Sequence, residues 1–327
     1  MKANKLLALS SVLGIPIAFA LIFRAIFVAD IVQELYELMS WSFFIGLPYG
    51  VGALTIGLSP VEWVRSLAYR IFAPWVPILL FLVITLALSI EGWGCWLMVL
   101  PIFLVCASLG GLTAGYFKLR KSDRANKLNL SLSLLAPLLI SPVEQSLQSL
   151  PVPYEAYTSA IIQAPGEKIW ANVVRVRAIR REEDSGWLTG VLGFPRPIQA
   201  ELNYAGVGGS RKAIFSGGLV FDEVVLAYAP QRKMRFSIKA NPHDIPSTTM
   251  DEHIVVGGTY FDVLDGTYEL EKLGENRYKL HLYSHFQLNT HVNFYATYWA
   301  RWIMQDIQNN ILAVVRARSE QQEDVGQ

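Results

Sequence analysis

The sequence predicts a bundle of transmembrane helices followed by an α+β domain in which an antiparallel sheet wraps a long C-terminal helix. Three observations carry this. Only 17% of the 327 residues are charged, and the apolar excess lies in the first 145: there is no charge between Glu37 and Glu62, and only Glu91 between Arg70 and Lys118. Such runs are hard to bury in a globular core, whereas a bilayer needs about 20 apolar residues per helix. Beyond position 150 the charge returns, with 18 basic and 20 acidic residues. Finally, His291 to Ser319 contains no Gly or Pro, and Val292, Tyr295, Trp299, Ile303, Ile307, Ile311 and Val314 recur at steps of three and four. That spacing puts them on one stripe, which needs a partner, and the strand-like sequence before it supplies a sheet.

The spans are expected at about 5–28, 38–58, 71–90, 92–117 and 128–143. The first opens like a signal peptide, MKANKLLALSS, but its apolar run continues past Ala20, so it is read as uncleaved. The second contains Gly46, Pro48, Gly50 and Gly52, small residues that favour close helix packing. Trp41, Trp63, Trp75, Trp93 and Trp96 fall near proposed ends, as in an interfacial belt. KLRKSDRANK, Lys118 to Lys127, is a solvated cytoplasmic loop by the positive-inside rule. The segment 128–143 is at the short limit for a span. If it crosses, the C-terminal domain is extracytoplasmic; if it lies flat in the interface, that domain stays in the cytoplasm. A bacterial inner or plasma membrane is the expected location.

Residues 146–157 read as a linker containing Pro151 and Pro153, and 158–320 as the second domain, with 321–327 a disordered tail. Its elements are a short strand at 158–163, a helix at 167–180 and a turn-rich stretch at 186–197. Strands follow at 200–204, 211–216, 219–228, 232–239, 259–270 and 277–288, and the long helix comes last. In RKMRFSIK, Met234, Phe236 and Ile238 alternate with charged or polar residues, the period of a strand with one buried face.

Here the sequence resembles the START-like, helix-grip superfamily (SRPBCC), in particular its polyketide cyclase/dehydrase-like and lipid-transfer members. The residues that carry the resemblance are SAIIQAPGEKIWANV, from Ser159 to Val173, and the strand meander ending in WARWIMQDIQNNILAVVRAR. It covers roughly 155–320 and implies six or seven strands gripping the last helix around an apolar cavity for lipids, sterols, polyketides or aromatic hormones. No catalytic constellation is shared across that superfamily, so none is carried over.

Composition and motifs exclude several classes. Net charge +1 with no basic stripe argues against a nucleic-acid partner. Cys95 and Cys106 give no disulfide framework. There is no HExxH, phosphate loop or nucleophile elbow, and no cofactor or metal is expected. His281 and His285, four apart on a strand, share a face and sit too far apart for one metal. His243 and His253 flank a loop with Asp244, Asp251 and Glu252, a weak metal pattern. Asp262 and Asp265, three apart on a strand, should face opposite sides, so that one of them is a candidate base; the plainer reading is that Asp265-Gly266 is a turn or bulge and Asp262 meets an arginine. Phe236, Tyr260, Phe286, Tyr295, Trp299 and Trp302 are candidate cavity walls, and Arg196 and Arg211 candidate anion contacts. The expected partners are membrane lipid and a hydrophobic small molecule bound without covalent chemistry. The alternatives are a cyclase or hydrolase using Asp262 or a loop histidine, or a sensor or assembly module.

Overall fold

The computed structural model describes residues 2–29, 38–120, 123–147, 150–240, 257–258 and 260–321. The acidic 30–37 loop, His243, His253 and their neighbouring acids, and the last six residues lie outside them. The chain forms two compact units: Met1–Leu150 with Thr290–Val292, and Pro151–Asn289 with Asn293–Gln327.

The first unit is helical. Its elements are α1 (Lys2–Val28), a π-helical turn at Ser42–Gly46 leading into α2 (Leu47–Leu58), short α3 (Val61–Val64) and α4 (Leu67–Phe72), α5 (Trp75–Ala87), α6 (Trp93–Leu119) and α7 (Asp123–Ser146). Among the described residues three segments are long and apolar enough to cross a membrane: Ser10–Val28, Leu67–Ala87 and Trp93–Leu119; Ser42–Leu58 is a shorter apolar helix. The expected fifth span falls inside α7, which starts within the basic cluster and contains Pro137 and Pro142.

Three polar contacts organise this unit, each joining positions far apart in sequence. Arg24 Nε donates to Glu91 Oε1 at 2.5 Å, tying α1 to the turn before α6. Glu144 near the end of α7 accepts from Trp41 N at 2.6 Å and from Ser42 N at 3.2 Å, a carboxylate on the orphan N–H groups of a helix start. Lys118 Nζ donates to the carbonyls of Gly57, at 2.6 Å, and Ser59, closing the C-terminus of α2 with a cation. Where α2 meets α6 the contact is made by small residues: a Cβ on Gly52 would lie 1.9 Å from the Ala107 carbonyl oxygen.

The second unit begins with β1 (Val152–Ile162), six residues before the expected strand start. The linker is therefore shorter than 146–157. Pro153 is accommodated because β1 is an edge strand, where a missing ladder donor is tolerated. Then come α8 (Gly166–Val174), β2 (Arg175–Val176), α9 (Trp187–Val191), β3 (Pro197–Leu202), β4 (Ser210–Phe215), β5 (Val220–Ala229), β6 (Lys233–Ala240), β7 (Phe261–Gly274), β8 (Arg277–Leu288) and α10 (Asn293–Glu320). The helix expected to run to 180 stops at Val174, where the β-branched pair Val173-Val174 gives way to β2. Among the described residues eight strands form one antiparallel sheet in the order β1-β8-β7-β6-β5-β4-β3-β2, one strand more than the resemblance implies, with α10 lying against it. β8 shows the alternation expected: Leu280, Leu282, Phe286 and Leu288 are buried, while His281 and His285 face the other way.

The second side of α10 departs from the sequence reading. Gln308, outside the apolar stripe, is 2% exposed, because β1 and β8 close over it. Asp306 accepts from Thr189 N at 2.9 Å and Thr189 Oγ1 at 2.7 Å, holding the first turn of α9. Asn310 Oδ1 accepts from Ser185 N at 2.8 Å, and Gln308 Nε2 donates to Ala156 O and Ser284 Oγ. Buried polar groups persist in a fold when they are paired in this way.

At the far end of α10, Arg318 donates to both carboxylate oxygens of Glu183, at 2.9 and 2.8 Å, and to the carbonyls of Arg177 and Ala178. The hydrogen bond from Arg318 holds the Glu183 carboxyl down at about 2, against partial burial, which pushes it up. A carboxylate whose pKa falls on folding stabilises the fold above its ordinary value, and that contribution disappears as pH drops toward the folded value. Glu183→Gln is therefore expected to melt lower than the parent at neutral pH, with the gap closing between about 4.5 and about 2. Thermal melts across that range check it; a gap that stays constant down to the lower limit would show that the pair contributes nothing through ionisation.

Candidate ligand-binding site

Between the concave face of the sheet and α10 lies a cavity of about 140 Å³. Its apolar wall includes Val176, Ala213, Phe215, Phe236, Val263 and Leu282 from the sheet side, with Ile303, Met304, Ile307 and Ile311 from α10. Each strand contributes every second residue, so the sheet presents a continuous apolar surface while its charged residues point away.

Two inward positions break that rule. Arg211 on β4 and Glu223 on β5 are register partners, in phase with Ala213 and Phe215 on one strand and with Val225 on the other. They are 3% and 4% exposed, and Arg211 Nη1 donates to Glu223 Oε2 at 2.9 Å. The guanidinium lies 5.3 Å from the centroid of Phe236 and 5.7 Å from that of Tyr268, both within cation–π range. Burial pushes the Glu223 carboxyl above its usual range against the pull of Arg211, and burial likewise raises the Tyr268 phenol. Arg211 Nε is buried with no hydrogen-bond partner among the described residues. Gln199, Ser284 and Gln308 are also in the lining, and Gln308 Nε2 donates to Ser284 Oγ at 2.8 Å.

Of the residues singled out in sequence, Phe236 and Arg211 are at this wall. Phe286 is fully buried but not in the lining: it packs with Ala156, Val263 and Leu288 and stacks on Tyr154. Tyr295, Trp299 and Trp302 are not at the cavity wall, because the part of α10 that reaches it starts at Ile303, and Tyr260, just before β7, is not in the lining either. Trp302 instead meets Trp187 edge-on at 5.8 Å and stacks with Trp299. The guanidinium of Arg196 is engaged: it donates to both oxygens of Asp184 and to Thr189 Oγ1 at 2.5 Å.

Asp262 is not at the wall either. A bulge in β7 between Val263 and Asp265 shifts the register by one, so Asp262 opposes Gln287 and Asp265 opposes His285. Residues 285 and 287 share a face, hence the two acids share the outer face, contrary to the simple alternation expected. Asp265, not Asp262, is the one that meets an arginine: Arg235 Nη2 at 2.9 Å, with His285 Nδ1 at 2.8 Å. His285 also lies 3.3 Å from Glu155, and His281 bonds Tyr157 and Glu271. Among the described residues no group of His, Cys, Asp and Glu is arranged to hold a metal ion.

Sequence reasoning missed Glu223 and Tyr268. The signal was present: each is in phase with buried apolar neighbours on its strand, and an acid in that phase requires a buried cation across the ladder. An antiparallel sheet curled round one long helix, with the void between them, leaves little choice of architecture. The C-terminal unit is a helix-grip fold. No family profile and no curated protein matches the chain. Several solved structures are similar to it over about its C-terminal half. The ZhuI aromatase/cyclase from Streptomyces sp. R1128 is 14% identical, covering 54% of this chain and 100% of its own, with a TM-score of 0.35. Truncated norcoclaurine synthase from Thalictrum flavum is 12% identical over 51% of this chain and 96% of its own, TM-score 0.31. The Aha1 dimer from Colwellia psychrerythraea is 18% identical over 51% and 96%, TM-score 0.28. Identities this low say nothing of activity, and the helix-grip assignment stands on this chain's own strands and helix.

Proposed function

We propose that this chain is an integral membrane protein whose helix-grip unit takes up a small apolar molecule bearing one neutral oxygen acceptor and holds it without covalent chemistry. The observation that carries the reading is Arg211, a buried donor at the wall of a mostly apolar cavity, with Nε unpaired among the described residues. A buried unsatisfied donor costs about 1–3 kcal/mol, which a ligand carbonyl, ester or hydroxyl oxygen would recover. Because Glu223 already balances the guanidinium, a carboxylate ligand would lose its hydration with no spare cation to meet it, so a neutral acceptor suits the site better.

The volume narrows the class further. A cavity of about 140 Å³ is close to the engineered void of about 150 Å³ that admits benzene, and below the roughly 300 Å³ where drug-sized pockets begin. One ring, or the end of an acyl chain, fits as the structure stands; a sterol requires α10 or the 184–196 segment to move outward. The membrane part of the reading is supported by three helices of spanning length. We place α7 across the bilayer as well, which puts Lys118 to Lys127 and the helix-grip unit on opposite sides.

Ala213→Trp tests the ligand reading, because its side chain projects from β4 into the void and an indole would fill it. Mass spectrometry of small molecules extracted from the purified full chain should find an oxygen-bearing apolar species with the parent and about tenfold less with the variant, the equivalent of about 1.4 kcal/mol. Equal amounts from both, with the variant still folded, would remove the cavity from the account. The second reading, an enzyme using Asp262, is favoured by burial raising that carboxyl above its usual range. It is weakened because Asp262 is on the outer face of the sheet while its neighbours Phe261 and Val263 line the cavity, and it predicts that Asp262→Asn loses turnover while still retaining the species.

A further inference from the structure

The aromatic residues that do not line the cavity form a surface of their own. On α10, Tyr298 is 74% exposed and Trp302, one turn on, is 46% exposed; on α9, Trp187 is 59% and Val191 51% exposed. The edge-on contact of Trp187 with Trp302 joins the two helices into one patch. Large apolar side chains left in water on two adjoining helices mark an interaction surface, because scattered single residues would not be contiguous.

We propose that this patch docks on the surface of the bilayer in which the chain's own helices are embedded. Its chemistry fits that occupant. Indole and phenol rings pair an apolar body with a polar edge, the combination enriched at the level of lipid headgroups. Asn293 to Gln305 and Trp187 to Val191 contain no acidic residue, and their single charge, Arg301, is exposed, so nothing on the patch repels lipid phosphates. The covalent link to spanning helices keeps the unit near the membrane at high effective concentration, so a weak surface affinity suffices. Ile303 and Met304, at the cavity wall, follow Trp302 directly on α10. Docking therefore brings lipid to the helix that closes the cavity.

This inference rests on the membrane reading but not on any ligand in the cavity, and the experiment separates the two. In a Cys95→Ala/Cys106→Ala background, the full chain carrying one new cysteine at position 298, 212 or 83 is labelled with an environment-sensitive dye. It is then reconstituted in phosphatidylcholine/phosphatidylglycerol vesicles containing lipid with an acyl-chain nitroxide. Val83 is an exposed position on α5 and reports insertion; Lys212 is an exposed sheet position away from the patch. The label from Tyr298→Cys should be quenched at least about threefold more than that from Lys212→Cys, as for side chains buried about 5–10 Å into the interface. Salt at about 1 M, where the Debye length is about 3 Å, should leave this unchanged, because the attraction is apolar. Adding Trp187→Ser and Trp302→Ser should remove most of it. Quenching at 83 with none at 298 overturns the docking alone, and no quenching at 83 overturns the membrane reading with it. A disulfide-linked dimer through position 298 without lipid quenching would overturn it in favour of a second copy, and loss of quenching in salt would overturn its apolar basis.

Discussion

Replacing Glu223 by leucine is expected to destabilise the helix-grip unit by about 3–5 kcal/mol, the range measured when one partner of a buried ion pair is removed. The variant leaves the Arg211 guanidinium, 3% exposed, with no counter-charge, and the phenyl and phenol faces nearby return only part of what is lost. For a unit of about 170 residues this corresponds to a fall in melting temperature of roughly 10 °C. The double variant Arg211→Met/Glu223→Leu should regain most of it, since replacing a whole buried pair with apolar side chains is often neutral. The same double variant should fail to retain the oxygen-bearing species, which separates stability from binding. Thermal melts of the two chains in detergent decide the matter. If Glu223→Leu melts with the parent, the charges are not paired in the folded protein and the assignment of Arg211 as ligand donor falls with them.

Gly110→Ala is expected to prevent the helical unit from assembling. In an ordinary exposed helix the same exchange stabilises by up to about 1 kcal/mol, because alanine has less backbone freedom to lose. Here the new Cβ would sit 2.0 Å from the carbonyl oxygen of Tyr49 and 3.0 Å from the backbone nitrogen of Ala53. Those are main-chain atoms of α2, so relief requires the two helices to separate, and the contact through Gly52 against Ala107 separates with them. The sign reverses, and overpacking of at least about 1–3 kcal/mol is the result. Gly14→Ala is the control, since nothing lies within 4 Å of a Cβ built there. Size-exclusion profiles in mild detergent should show a monodisperse peak for Gly14→Ala and aggregate for Gly110→Ala; a monodisperse Gly110→Ala would mean that α2 and α6 do not meet through these glycines.

The difference between these two sites bears on how far a sequence can be read. Gly46, Gly50 and Gly52 announce close helix packing, but which helix approaches which glycine depends on how the helices cross: α7 meets Gly46, α1 and α7 meet Gly50, and α6 meets Gly52. That crossing is set by many side chains at once. Likewise the pattern around Phe236 marks an inward face, and Asp265-Gly266 allows a turn or bulge, but the local sequence does not fix the register, and a single inserted residue between Val263 and Asp265 was enough to put Asp262 and Asp265 on one side.

The amino-acid order by itself determined where the apolar half ends, that an antiparallel meander precedes a long amphipathic helix, and which way β6 and β8 face. Those follow from periodicity and composition, properties of neighbours along the chain. Only the tertiary structure decided that Arg211 meets Glu223, that Arg24 meets Glu91, and that Gln308, Asp306 and Asn310 are interior. It also decided that the indoles of Trp187 and Trp302 form an outer patch instead of a cavity wall. Each of these joins residues at least 12 positions apart, and pairings at that range are fixed by the register of strands and the packing of helices, which no local window contains.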